Sequence, residues 1–407
     1  MRGKDLAFFA VITTLVLLAS ILAYFVFQKD PDNEYTYDPS GDLDRFLFPD
    51  EMAMNSTIDS YLRSSGDYLV KHIQTNGKWD YEYDPVKDEN LKKYNILRHA
   101  GTTYSLALIF KYTRDPDYHN GTVNSLNYLL SKHLRFGEME GDEIAFMVDN
   151  GYAKLGGAAL TILAIVEVEE IDPEARYERE LNALGEFILK MQKKDGSFQC
   201  FYLMKEDEHS DFYPGEALLA LARMYDHTRD DRYLQTLIDG LDHYNGYFGT
   251  GYTAYTPWAT EAMAYAYNWT GNTSLLDHSY RMAESCRAGQ NLPREGIDPY
   301  IIGGWGSEPK ANTASRVEGV TDAYLMAKRA GDTDRQERYG QTMEYSSWFL
   351  LSLQFDDEES QTYPSPEMVV GGTPLGHSDH NIRIDYVQHA VVVMVKIMVY
   401  RGSSMNI

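Results

Sequence analysis

The 407-residue chain carries 61 Asp and Glu against 37 Lys and Arg, a formal charge of −24 that argues against nucleic acid and anionic lipid headgroups as partners. Its 43% apolar content is enough for a sizeable core, in one large domain or two ordinary ones. Cys200 and Cys286 are the only cysteines, so there is no disulfide framework or CxxC zinc site, and a single bridge stays open.

Residues 1–5, with Arg2 and Lys4, precede residues 6–27, which hold no charge, and Asp30, Asp32 and Glu34 follow. A run of that length crosses a bilayer as a helix. The basic residues ahead of it predict a single-pass signal anchor, with a cytoplasmic N-terminus and an extracytoplasmic C-terminal domain. A cleaved signal peptide is the rival, but the run exceeds the usual apolar region of one and no A-x-A site follows. Sequons at Asn55, Asn120, Asn268 and Asn272 fit a glycosylated domain outside the cell. Residues 28–55, rich in Asp with Pro31, Pro39 and Gly41, read as an acidic stalk. The folded domain is expected over residues 56–407.

Within that domain two helical patterns alternate. Residues 211–226, DFYPGEALLALARMYD, start at a proline and a first-turn glutamate and are then apolar nearly all round, which predicts a helix with no broad wet face. The same grammar recurs at 94–110, 150–166, 256–267, 312–330 and 383–399. Between these runs lie amphipathic patterns at 56–74, 123–133, 177–192, 232–244, 275–288 and 336–353. In the third of these, Leu181, Leu184, Phe187, Ile188 and Met191 form one stripe among charged residues. No convincing strand alternation separates the pairs. The economical arrangement is an all-α closed barrel of six outer-then-inner pairs, with long loops gathered at the inner N-termini, where function is usually carried.

Gln192-Lys-Lys-Asp-Gly196-Ser-Phe198 is similar to the Q-x-x-x-G-x-W/F repeat of terpenoid cyclases, and Gln74-Thr-Asn-Gly77-Lys-Trp79 is a version one residue shorter. With the six pairs, the chain resembles the (α/α)6 toroids of six-hairpin glycosidases and N-acylglucosamine 2-epimerases, and more distantly the terpenoid cyclases, over about residues 56–400. That resemblance is architectural. The chain has no D-x-D-D motif and too few cysteines for a prenyltransferase or lanthionine-cyclase zinc site, which counts against those chemistries.

If every inner helix starts at one end, the first turns converge on one cavity. Glu216, Glu318 and Asp385 are the candidates for acid and base work, since carboxylates facing one another in a confined site have their pKa values driven apart. His99 is a candidate proton carrier, as the resemblance to sugar epimerases implies. Arg98, Lys154 and Arg316, with Arg383 nearby, are unexpected cations in so acidic a chain and suit a carboxylate or sulfate. Equally, Arg98 and Arg316 would serve as partners of the acids in a buried network. Trp258 and Trp305 suit the faces of sugar rings, and Glu261, Gln388 and His389 complete the binding set. Single first-turn carboxylates also occur simply to complement the helix dipole. His377, Asp379 and His380 have only a weak metal-ligand spacing, and neither a metal nor another cofactor is demanded. The reading is a membrane-anchored carbohydrate-active enzyme: a glycoside hydrolase, lyase or uronate epimerase for an anionic polysaccharide. The alternatives are a non-catalytic glycan- or protein-binding ectodomain and a terpenoid-cyclase relative.

Overall fold

The computed structural model describes residues 51–172, 174–204 and 210–401. Six helices form an inner ring: α2 (Ile96–Thr113), α4 (Leu155–Ile171), α6 (Tyr213–Thr228), α8 (Thr256–Thr270), α10 (Thr313–Ala330) and α12 (Ile384–Arg401). Each packs on the next, and α12 packs back on α2, so the ring closes. Around it stand α1 (Glu51–Lys71), α3 (Pro116–His133), α5 (Glu178–Met191), α7 (Asp231–Phe248), α9 (Thr273–Arg287) and α11 (Thr333–Leu353). The expected (α/α)6 arrangement is thus present in the described domain.

Burial follows the two patterns. Helix α4 is buried almost throughout, from Leu155 to Val168, because it touches inner neighbours on both sides and outer helices behind. Helix α5 buries only its Leu181, Leu184, Phe187, Ile188 and Met191 face. Four inner-to-outer turns share one construction: a left-handed residue ends the inner helix and an Asp or Asn caps the outer one. The pairs are Arg114 with Asp115, Arg229 with Asp230, Gly271 with Asn272, and Gly331 with Asp332. Each side-chain cap satisfies an otherwise orphaned N–H, so the reversal needs almost no loop.

The glutamine-glycine motif stitches the outer ring together. After α5, Gln192 Nε2 donates to the Thr236 carbonyl of α7 at 2.8 Å, and Gly196 lies against the same helix. Gln290 reaches Thr342 of α11, and Gln354 reaches Tyr61 of α1, each at 3.1 Å. These two copies escape a sequence motif because their glycines, Gly303 and Gly371, lie 13 and 17 residues downstream. Gly371 has φ +83° and sits so close to α1 that a β-carbon would lie 2.1 Å from the Ser64 carbonyl oxygen. Gly371→Ala is therefore expected to destabilise the domain by roughly 3 kcal/mol, read by urea denaturation. A loss under about 0.5 kcal/mol, the scale of an ordinary surface change, would contradict the stitch.

Four expectations need correction. The inter-helix segments do contain strands: β1 (Glu82–Asp84), β2 (Glu89–Asn90), β7 (Pro374–Gly376) and β8 (Asp379–Arg383) form one four-stranded sheet in the order β2-β1-β8-β7, and β3 (Leu134–Met139), β4 (Asp142–Asp149), β5 (Tyr152–Lys154) and β6 (Phe201–Tyr202) form a second in chain order. The longest pair, β3 (Leu134–Met139) and β4 (Asp142–Asp149), turns through Glu140 and Gly141, both at positive φ. Glutamate is an unusual choice there, so the hairpin lacks its ordinary Asn-Gly signature. Strand β5 (Tyr152–Lys154) also delays the start of α4 from residue 150 to Leu155. Helix α1 begins at Glu51, inside the segment read as stalk, and Met54 is buried there with its sulfur against Arg401. Helix α3 begins at Pro116, well before residue 123, because Asp115 caps it and Pro116 opens it.

Cys200 and Cys286 are both buried, and no disulfide joins them. The expected anchor at residues 6–27 lies outside the described residues. Among the described residues, no helix is long and apolar enough to cross a membrane.

Candidate active site

First turns of the inner helices enclose a cavity of about 450 Å³. Arg98, Glu216, Trp258, Asp385, Gln388 and His389 line it, so the structure brings together six of the twelve residues singled out from sequence. Outer helices α3, α7, α9 and α11 are capped by Asp or Asn side chains, whereas α4, α6, α8 and α10 have no side-chain cap bond. Their uncapped N–H groups give this end of the ring a positive bias.

Glu216 sits in the first turn of α6, just after Pro214, and is 4% exposed. Its Oε2 accepts no hydrogen bond. Burial pushes its pKa up to about 8, against the weaker downward pull of His389 and Lys154. A carboxyl in that state is protonated at neutral pH and is a ready proton donor. Gly156 of α4 makes the space: a β-carbon there would lie 1.9 Å from Glu216 Oε2 and 2.7 Å from the Tyr213 ring. Gly101 does the same for Gln388, whose Oε1 would lie 2.5 Å from an added β-carbon. These close approaches account for two of the glycines inside the inner helices. Gly156→Ala should displace the movable carboxyl more than it unfolds the domain. Activity should fall roughly 100-fold or more while the melting temperature drops by only a few degrees. Intact activity would show that the Glu216 position is unimportant.

His389 is the second proton-active group. Its Nδ1 lies 2.7 Å from Glu318 Oε1, which leaves Nε2 as the nitrogen available to the cavity. Burial alone would depress its pKa, but Glu318, Asp385 and Glu216 outweigh that and raise it above the ordinary 6.5. Glu318, 2% exposed, does not line the cavity but fixes the imidazole from behind. Trp258 lies edge-on to the His389 ring, with centroids 5.9 Å apart.

Asp385 is held on both oxygens. Arg383 forks onto Oδ1 and Oδ2, and Arg98 Nε reaches Oδ2 at 2.8 Å. Arg98 also donates to the Tyr81 hydroxyl. Lys154, at the N-cap of α4, acts on Glu216 but has no carboxylate within ion-pair distance among the described residues; its ammonium lies 5.7 Å from the Tyr152 ring centre. Arg316 likewise pairs with no described carboxylate. It stacks on Tyr252, a wall of the cavity, at 4.2 Å, and on Trp305 at 5.5 Å.

Other candidates lie elsewhere. His99 is fully buried and turned toward the outer ring, with Nε2 3.0 Å from the Ser125 carbonyl and Nδ1 3.1 Å from the Tyr94 hydroxyl. Burial takes its pKa down to about 3, so it stays neutral. Glu261 lies one turn beyond Trp258 and pairs with Lys396 at 2.9 Å. Trp305 is spent on packing, its Nε1 donating to the Ala288 carbonyl. His377 and His380 hydrogen-bond to Ser352 and Tyr363, and no group of three or more His, Cys, Asp or Glu among the described residues could hold a metal. Phe212, Tyr213 and Tyr252 are further walls of the cavity; the two tyrosines, among many aromatics ahead of the inner helices, read from sequence as packing.

No family model matches the chain, and no curated protein does. Solved structures do match. An α-1,6-mannanase from Salegentibacter sp. superposes with a TM-score of 0.63 at 12% identity, over 86% of this chain and 100% of that one. A D-mannose isomerase gives 0.61 at 13% identity, over 84% and 97%. An unsaturated glucuronyl hydrolase specific for heparin gives 0.60 at 10%, over 84% and 97%. Identities this low speak for the fold. The described domain is an (α/α)6 toroid of the kind shared by six-hairpin glycosidases and sugar epimerases.

Proposed function

We propose that this protein is a carbohydrate-active enzyme that moves protons at a carbon beside the carbonyl or carboxylate group of a sugar, as an epimerase or isomerase does. The observation that carries the reading is the pairing, in one cavity, of a buried Glu216 carboxyl, whose Oε2 has no hydrogen-bond partner and whose pKa burial raises, with a His389 positioned by Glu318. His389 Nε2 takes the proton from carbon as Glu216 gives its proton to the carbonyl oxygen. An enediol forms with no charge added to the substrate, and turnover is completed when carbon regains a proton from His389 while Glu216 takes back the hydroxyl proton, restoring the carbonyl and both groups. Trp258 stacks on the ring.

Hydrolysis is less well supported. A glycosidase needs a second carboxylate as base or nucleophile, and the other carboxylate lining the cavity, Asp385, has both oxygens committed to arginines. An acidic sugar is favoured by Lys154 and Arg316, cations that no described carboxylate neutralises, and by the starts of α4, α6, α8 and α10, which have no side-chain cap. The same proposal keeps the toroid on the outer face of the cell membrane, tethered by residues 6–27, with the exposed Asn120, Asn268 and Asn272 as glycan acceptors. Resistance of the chain to alkaline carbonate extraction tests the tether.

The function is tested by incubating the full chain in D₂O with neutral and uronate-bearing mono- and oligosaccharides and following deuterium at sugar carbons by NMR. Exchange that Glu216→Gln and His389→Asn both abolish is expected. Reducing-end release without exchange would make the protein a hydrolase, and saturable binding without either would make it a glycan receptor.

A further inference from the structure

The toroid has a second cavity, of about 260 Å³, toward the C-terminal ends of the inner helices. It lies in helical register with the first. Glu216 and Arg223, Leu160 and Glu167, and His389 and Lys396 are each seven residues apart, the first of each pair lining one cavity and the second the other. On these three helices two turns, about 10 Å of bore, separate them, and on α8 the step from Trp258 to Glu261 is about one turn.

Its polar floor is a buried ion network. Lys111 meets Glu167 at 2.8 Å and Glu170 at 2.6 Å, and Arg223 meets the same two at 2.8 and 2.7 Å. Lys396 bridges Glu261 and Asp322, both at 2.9 Å. Glu167 and Asp322 are fully buried, and Lys396 is 5% exposed. Arg114 at the rim has no described carboxylate partner and stacks on Phe110. Lys111, Arg223 and Lys396 are thus each paired with carboxylates, of which Glu167 and Glu261 line the cavity and Glu170 and Asp322 lie outside its lining, and Arg114 alone of the lining cations is unpaired. Tyr104, Tyr265 and Tyr400 supply aromatic and hydroxyl walls, with Leu108, Val395 and Val399 between them. Two polar groups are left over. Glu167 Oε1, although near Arg223, accepts no well-formed hydrogen bond, and the Tyr104 hydroxyl has no described partner.

A network that only ties helices together needs no void beside it, since interiors otherwise close-pack. The pairing restricts what fills this one. Past Arg114 at the rim, a net ion would find the lining charges already paired and would lose its hydration, and an apolar molecule would strip water from the charges and satisfy neither leftover group. A neutral molecule carrying several hydroxyls meets both demands: it can donate to Glu167, accept from Tyr104 and lay an apolar face on a tyrosine ring. We propose that the second cavity is a separate binding site for a small neutral polyhydroxylated molecule, a free monosaccharide or polyol. Nothing in this depends on the chemistry assigned to the first cavity.

Saturation-transfer NMR on the full chain tests it, using D-mannose, N-acetylglucosamine and myo-inositol as neutral probes, with inorganic phosphate and ethylammonium thermal-shift titrations as charged controls. At least one neutral probe should bind in Trp258→Ala, which disables the first cavity, and lose its signal in Val399→Trp, which fills the second. Tyr104→Phe, which keeps volume and fold, should weaken that binding about threefold to tenfold. Binding lost in Trp258→Ala but unchanged in Tyr104→Phe and Val399→Trp would place the ligand in the first cavity and overturn the proposal. So would binding of only phosphate or only ethylammonium, or no binding of any probe, which would leave a water-filled structural network.

Discussion

Glu216→Gln is expected to lower kcat by about 10²- to 10⁴-fold with little change in KM, because glutamine keeps the shape of the side chain but has no proton to give. The same substitution should flatten the pH dependence of stability. Glu216 has its folded pKa raised from 4.5 to about 8 by burial, so the folded state holds a proton that the unfolded chain has released. Its contribution is full below pH 4.5, declines as pH rises and is gone once pH passes about 8. The wild type should lose up to about 5 kcal/mol across that window from this group alone, and the glutamine variant should not. Urea denaturation at pH 5 and pH 9 reads the difference. Parallel wild-type and variant profiles would mean that Glu216 ionises normally. Catalysis by the pair should follow a bell: activity rises as His389 loses its proton, above 6.5, and falls as Glu216 ionises near 8.

The second large effect is at Lys396. Replacing it by methionine keeps most of the volume but leaves Glu261 and Asp322 buried without their cation. A loss of about 3–5 kcal/mol is expected, since removing one partner of a buried pair strands the other. Asp322 already has its pKa raised to about 7 by burial, despite Lys396, and should shift further up in the variant. Adding Asp322→Leu should recover a large part of the loss. A single-variant loss below 1 kcal/mol would show that the network is solvated and structurally idle.

Much of the ring was legible because its signals are local. An inner helix must be apolar on nearly every side, so α6 declares itself in residues 213–224 without reference to any partner. Proline and asparagine at the loop ends then place the starts of α2, α6, α8, α10 and α12 within two residues of where they lie. The strands were not legible. Strands β1 and β8 pair residues 82–83 with 382–383, almost a chain length apart, and neither is long enough to show alternation.

The site was half legible for a geometric reason. Sequence gives the turn on which a residue sits but not the direction it faces, and each residue rotates the side chain by 100°. Arg98 and His99 are neighbours, yet Arg98 faces the cavity and His99 faces α3. Trp258 and Glu261 are three residues apart, which keeps them on one face but moves Glu261 down to the second cavity. The role of Glu318 behind His389 was hidden for a different reason, since a contact across 71 residues leaves no local trace.

Proton transfer by the pair of Glu216 and His389 requires a carboxyl in the first cavity that keeps its proton at neutral pH. Infrared difference titration of the full chain between pH 5 and pH 10 measures this without a substrate, by following the carbonyl stretch of protonated carboxyl groups. A band that disappears near pH 8 in the wild type and is missing from Glu216→Gln is expected, beside an Asp322 band near pH 7 that the variant retains. Complete ionisation of the Glu216 band in the ordinary carboxylate range, below pH 6, would contradict it.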